Sequence, residues 1–130
     1  MAKTIVDTRV LFLGGNNIDD TGKLIVDVSA ETTYPAGSYV VLSATQTTGI
    51  SYELLDDALT GVIQGVTSED ITVSTAGTIK FNRAFGGHIN VDVLNDVNTT
   101  QYDAIPVGGT DFVRLQMEAK GFVGKSPVSM

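Results

Sequence analysis

Few side chains in this sequence could do chemistry, and their spacing decides how far that chemistry could go. Among 130 residues there is one histidine, His88, and no cysteine or tryptophan. A metal centre built from several histidines or thiolates is therefore excluded for one copy of the chain. His88 follows Gly86-Gly87 at the start of an expected strand, so it reads as a turn residue rather than the base of a Ser-His-Asp relay. The carboxylate pairs Asp19-Asp20 and Asp56-Asp57 raise the prospect of acid-base work or of calcium. Asn16 to Gly22 has the polar composition of a calcium loop, but Ile18 occupies a ligand position and no glutamate follows at the closing spacing. Solvated turns are the ordinary fate of such clusters. Glycine pairs begin at 14, 86 and 108, yet none belongs to a phosphate-binding pattern. No catalytic constellation emerges. The expectation is a protein without enzymatic activity, cofactor or bound metal.

The elements that would hold any site are mostly strands. Residues 4–13 (TIVDTRVLFL) alternate loosely and favour an extended arm, which Gly14-Gly15-Asn16-Asn17 then breaks as a hinge. Residues 24–28 (LIVDV) predict a strand after the turn Asp20-Thr21-Gly22. Tyr34-Pro35-Ala36-Gly37 is a second turn leading into a strand over 38–44. Residues 49–57 are ambiguous and allow one helical turn around Leu54-Leu55. Further strands are expected over 61–66, 70–74, 77–81 and 88–94. The stretch EDITVSTAGTIKFNRAF, residues 69–85, alternates on both sides of Thr75-Ala76-Gly77 and reads as a paired ribbon. Ile79 and Phe81 would point inward, and Thr78, Lys80 and Asn82 outward. One segment predicts a helix, residues 110–120, with Thr110 as N-cap, Gly121 as the stop, and Phe112, Leu115 and Ala119 as the buried stripe. The tail after it either returns as an edge strand or stays loose.

Composition narrows the partners. The formal net charge is −7, and the eight basic residues are scattered. Duplex binding draws much of its affinity from basic side chains neutralising phosphates, and anionic membranes select for the same charge, so neither nucleic acid nor membrane is an expected partner. No apolar run approaches the roughly 20 residues that a spanning helix needs. The only continuous apolar run near the start, Val10 to Leu13, is too short for the core of a signal peptide. Other proteins remain as the expected partners.

The arm is the best candidate for such a contact. Residues 1–15 are assigned to it and residues 16–130 to a single β-rich body. Val6, Val10 and Phe12 would share one face of an extended arm, and Ile5, Leu11 and Leu13 the other. Both faces then need cover, which suits a strand that adds to the sheet edge of another protein or packs on a neighbouring subunit.

The order of these features resembles the phage head decoration proteins of the lambda type. The resemblance runs from about Tyr34 to Val123. YPAGSYVVLSA is similar to the family's turn and entering strand, ALTGVIQGVT to its small-residue strand, STAGTIKF to its hairpin, and TDFVRLQMEAKGFVG to its late helix and terminal strand. The segment NVDVLNDVNTTQYDAIPVGG is longer than the family's pattern, and the first 30 residues do not follow it closely. The resemblance implies a mainly β fold, with a small β-clip or β-barrel-like body, one short helix near the C-terminus and an N-terminal arm. It also implies a homotrimer that binds the major capsid protein on the outer surface of the virion, after synthesis in the host cytoplasm, and stabilises the expanded shell. Ile5, Val6, Val10, Leu11, Phe12 and Leu13 would be the capsid-anchoring residues. A tail or fibre component would share this composition, and so would a small ligand-binding β module. The first should polymerise, and the second should show an aromatic-lined hollow.

Overall fold

The computed structural model describes residues 10–44, 46, 49–55, 62–98, 100–106 and 111–126, with the backbone alone for residues 19–21 and 96. The chain is mainly β, with a five-stranded closed barrel, a three-stranded side sheet, a two-stranded ribbon and two short helices. In chain order the strands are β1 (Phe12–Gly14), β2 (Asn17–Val26), β3 (Thr32–Tyr34), β4 (Tyr39–Leu42), β5 (Ser51–Leu54), β6 (Ile63–Thr67), β7 (Ile71–Val73), β8 (Gly77–Phe85) and β9 (Gly87–Asn90). Helices α1 (Val91–Val97) and α2 (Val113–Ala119) follow, and then β10 (Phe122–Lys125).

The barrel runs β2-β5-β4-β6-β8 and closes by pairing β8 back onto β2. Closure follows from two long strands. β2 and β8 pair antiparallel from Asn17↔Phe85 to Val26↔Gly77, interrupted by an irregular register between Asp19 and Gly22. The expected turn at Asp20-Thr21-Gly22 is thus a bulge within β2. It absorbs the excess residues without breaking the strand and bends it, as barrel walls require. Gly22 lies against the Phe81 ring, where a Cβ would sit 2.7 Å from Cε1, so only glycine lets that aromatic fill the barrel.

One face of the barrel strands carries Leu24, Val26, Val40, Tyr52 and Phe81, which form one apolar cluster. Lys23, Glu53 and Lys80 occupy alternate positions on the same strands, so the apolar face must be the lumen. Tyr52 and Phe81 meet edge to face at 5.6 Å, and the Arg83 guanidinium stacks over the Tyr52 and Phe85 rings at 5.4 and 4.6 Å. The second cluster lies outside the barrel. There Tyr39, Val41, Ile63, Val66 and Ala84 pack against Ile89, Val93, Leu94, Val113, Met117 and Phe122 from the side sheet and helices. Tyr39, Val40 and Val41 of β4 are buried, Val40 on one face and its two neighbours on the other, so three successive apolar residues are needed there, while Leu42 is exposed.

Three sequence expectations change. The ribbon over 69–85 does not form: β7 pairs with β3, while β8 pairs with β2 and β6. Alternation fixes which side chains face inward, but not which strand is the neighbour. Phe81 is buried and Thr78 and Lys80 are exposed, as their alternation requires. The strand expected over 88–94 ends at Asn90, and α1 begins there. Asn90 caps it by accepting a hydrogen bond from the Asp92 N–H at 3.0 Å, and Val93 and Leu94 turn into the outer cluster. Residues 49–57 contribute β5 through Leu54 rather than a helical turn.

The late helix is present, but its buried face is different. Val113, Gln116 and Met117 are buried, whereas Phe112, Leu115 and Ala119 are exposed. The helix starts at Phe112 without a side-chain cap, and Thr110 lies outside the described residues. Gln116 fixes the rotation. Its Oε1 accepts from the Ile63 N–H at 2.8 Å and its Nε2 donates to the Asp111 carbonyl at 3.1 Å. Gly121, at φ +88°, ends the helix as expected.

Candidate functional site

The surface that gathers unused bonding capacity is the side sheet, ordered β1-β9-β10, together with the helix beside it. β1 joins β9 antiparallel through Phe12↔Ile89 and Gly14↔His88. The Asn90 N–H donates to the Leu11 carbonyl at 2.8 Å, and Asn90 Nδ2 donates to the Val10 carbonyl at 3.0 Å. Leu11 is 7% exposed within the outer cluster, in contact range of the close approach at Gly37. Val10, Leu11, Phe12 and Leu13, named above as capsid-anchoring residues, run beside β9 of their own body. Their backbone and the Leu11 side chain are tied to their own body, because β9 offers an edge and the outer core a pocket for one leucine. Val10 and Leu13 remain partly exposed at 44% and 37%. Ile5 and Val6 lie outside the described residues.

The Gly14-Gly15 break is a tight corner into β2. Gly87 passes so close to it that a Cβ there would meet the Gly15 carbonyl at 2.5 Å. Asn16 then donates from Nδ2 to the Gly86 carbonyl at 2.9 Å. The segment read against a calcium loop is thus a corner followed by a strand. His88 is exposed on β9. Asp56-Asp57 and Gly108-Gly109 lie outside the described residues. Among the described residues no group of three or more His, Asp or Glu side chains is placed to hold a metal ion. No helix of the described residues is long and apolar enough to cross a membrane.

At the other edge of the side sheet, β10 pairs with β9 in parallel and has no further strand beside it among the described residues. The Gly87 N–H donates to the Gly121 carbonyl at 3.0 Å, with Phe122 opposite Gly87. Main-chain groups alternate in direction along a parallel ladder, so those of Phe122 and Gly124 point away from β9. They face an open cleft of about 650 Å³ lined by residues 121–124, Val91, Tyr102, Asp103, Arg114 and Glu118. A smaller hollow of about 330 Å³ shares Asp103, Arg114 and Glu118 and adds Phe112 and Leu115.

Tyr102 is the most distinctive member of this wall. Asn95 Oδ1 accepts from its N–H at 2.9 Å, and its carbonyl accepts from the Arg114 N–H at 2.9 Å, so both ends of the residue are fixed. The ring is buried, and the hydroxyl has no hydrogen-bond partner among the described residues. Burial pushes its pKa up, and the Glu118 carboxylate adds to the rise. A neutral donor is therefore held against the wall of the cleft. Arg114 Nε donates to Glu118 Oε2 at 3.3 Å across one helical turn on the exposed face. Phe112, Leu115 and Val123 present apolar surface at 46%, 53% and 46% exposure.

Chemically, this arrangement can hydrogen-bond an extended main chain and cover apolar side chains on both of its faces. The sequence showed the Arg114–Glu118 spacing but not this cleft. Tyr102 and β10 are separated by α2 in the chain and meet only through tertiary packing. Compared with family models, with curated proteins and with solved structures, the chain matches none.

Proposed function

We propose that this chain is a non-enzymatic virion structural protein that binds the outside of a phage capsid as a homotrimer and stabilises the expanded shell. The observation that carries this reading is a small closed barrel bearing a side sheet, whose edge strand β1 is preceded in the sequence by the strand-forming composition of residues 3–9. Such a body is rigid enough to bridge a lattice junction, and its segment is suited to strand addition on a partner. The resemblance of residues 34–123 to lambda-type decoration proteins supports the same reading. A clamp that binds only the assembled shell stabilises that shell by mass action. The net charge of −7 keeps an exterior protein from competing for the genome.

The test is to mix the purified chain with empty, expanded shells of the phage that encodes it, then to cosediment and image them. Saturable binding at three-fold positions, with the shells surviving higher temperature when decorated, is the expected result. Shells that stay bare at saturating protein would refute the reading.

A further inference from the structure

We infer that the open edge of β10 is the docking site for residues 3–9 of a second copy of this chain, which would add there as a fourth strand of the side sheet. The inference rests on the homotrimer reading and names the contact that would build the trimer.

The groove calls for an extended chain. The outward-pointing main-chain groups of Phe122 and Gly124 are satisfied by a neighbouring strand at about 4.8 Å more fully than by any side chain. Its two faces differ in what they offer. On the inner side Tyr102 supplies a buried hydroxyl with no partner among the described residues, close enough to β10 that a Cβ on Gly124 would lie 2.6 Å from it. On the outer side Val123 is exposed. An incoming strand therefore needs a hydrogen-bonding group beside Tyr102 on its inner face and an apolar group against Val123 on its outer face. Residues 3–9 read Lys-Thr-Ile-Val-Asp-Thr-Arg, with Ile5 and Val6 giving one apolar side chain to each face and threonines beside them as hydrogen-bonding partners.

Charge and length agree with this occupant. The cleft is lined by Asp103 and Glu118, with Arg114 already paired to Glu118. The segment carries Lys3 and Arg9 at its two ends, within a chain whose net charge is −7. Nine residues extended reach about 30 Å, enough to span to an adjacent subunit. Val10 leads into β1, and β1 lies across β9 from β10. Donor and acceptor edges are different surfaces of one subunit, so the contact is head-to-tail. Such a contact gives a closed ring where its rotation is one third of a turn, as the trimer reading requires.

The absence of native cysteine permits a direct test. Single-cysteine chains carrying Thr4→Cys or Thr8→Cys would each be mixed with chains carrying Val123→Cys or Lys125→Cys and oxidised gently. The expected result is a disulfide between different chains in at least one pairing. In parallel, sedimentation would compare the full chain with one lacking residues 2–9, which keeps Leu11 and β1 and should melt like the parent. The full chain should sediment as a trimer and the truncated chain as a monomer, and excess peptide of residues 2–9 should also dissociate the full-length trimer. Trimers that survive the truncation, a full chain that is monomeric, or mixtures that give no disulfide between the two kinds of chain in any pairing would overturn the inference. Shell binding by the full chain is read separately. Its failure would refute the decoration role and leave the strand exchange standing.

Discussion

Two buried tyrosines define what single residues contribute. Tyr39 is 1% exposed in the outer cluster, and its hydroxyl has no partner among the described residues. A buried hydroxyl without a partner costs desolvation and returns little, so Tyr39→Phe should leave stability within about 1 kcal/mol of the parent or raise it, by denaturant unfolding. Burial pushes its pKa well above the ordinary value, and Tyr102 and Asp103 nearby add to the shift. The unfolded chain ionises its tyrosines near pH 10, whereas folded Tyr39 and Tyr102 keep their protons. Below that pH both states are protonated and the contribution is fully present. Above it the unfolded state binds fewer protons, so stability falls as pH rises. Unfolding free energy measured from pH 8 to 11 should turn down near the upper end, and Tyr39→Phe should flatten that fall.

Among the elements, α2 separates buried from exposed positions most clearly. Met117 is fully buried against the barrel wall, and Leu115 is 53% exposed on the opposite side of the same helix. Met117→Ala should therefore cost about 2–5 kcal/mol through the cavity it leaves. Leu115→Ala should stay within about 0.5 kcal/mol, because it removes surface already in water. Equal losses would restore the stripe expected from the sequence. That stripe failed for an identifiable reason. The register Phe112, Leu115, Ala119 and the register Val113, Gln116, Met117 are both helical in period. Gln116 bonding to the Ile63 N–H selects the second. A glutamine on a buried face carries no hydrophobic signal, so periodicity alone pointed to the wrong side.

On the scale of the molecule, the N-terminal segment divides into two parts with different duties. Residues 10–14 close the outer core and pair with β9, and residues 1–9 precede them. Removing residues 2–13 takes away Leu11 and the Phe12 pairing. It should lower unfolding free energy by about 2–4 kcal/mol for the leucine alone, with more for the lost strand. Leu11→Ala should reproduce most of the side-chain share in a thermal or denaturant melt. An unchanged melt for the longer truncation would return Leu11 to a free arm. Closure removes edges from five strands, so among the described residues the open edges belong to the side sheet and to the β3-β7 ribbon.

The sequence by itself determined the β class, the turns at Tyr34 to Gly37 and at Gly121, and the inward face of β8. These follow from local rules: period-two alternation, the fixed φ of proline, and the left-handed freedom of glycine. It also determined that one copy of the chain holds a single histidine and no cysteine. Only the tertiary structure decided partners and rotations. β7 found β3 and not β8, α1 replaced the end of a strand, α2 turned Val113 and Met117 inward, and Leu11 sank into its own core. Each outcome depends on residues distant in the chain competing for one edge or one pocket. Local pattern does not encode which neighbour wins. The cleft beside β10 belongs to the same class, because Tyr102, α2 and the strand edge acquire a common purpose only when the outer core packs them together.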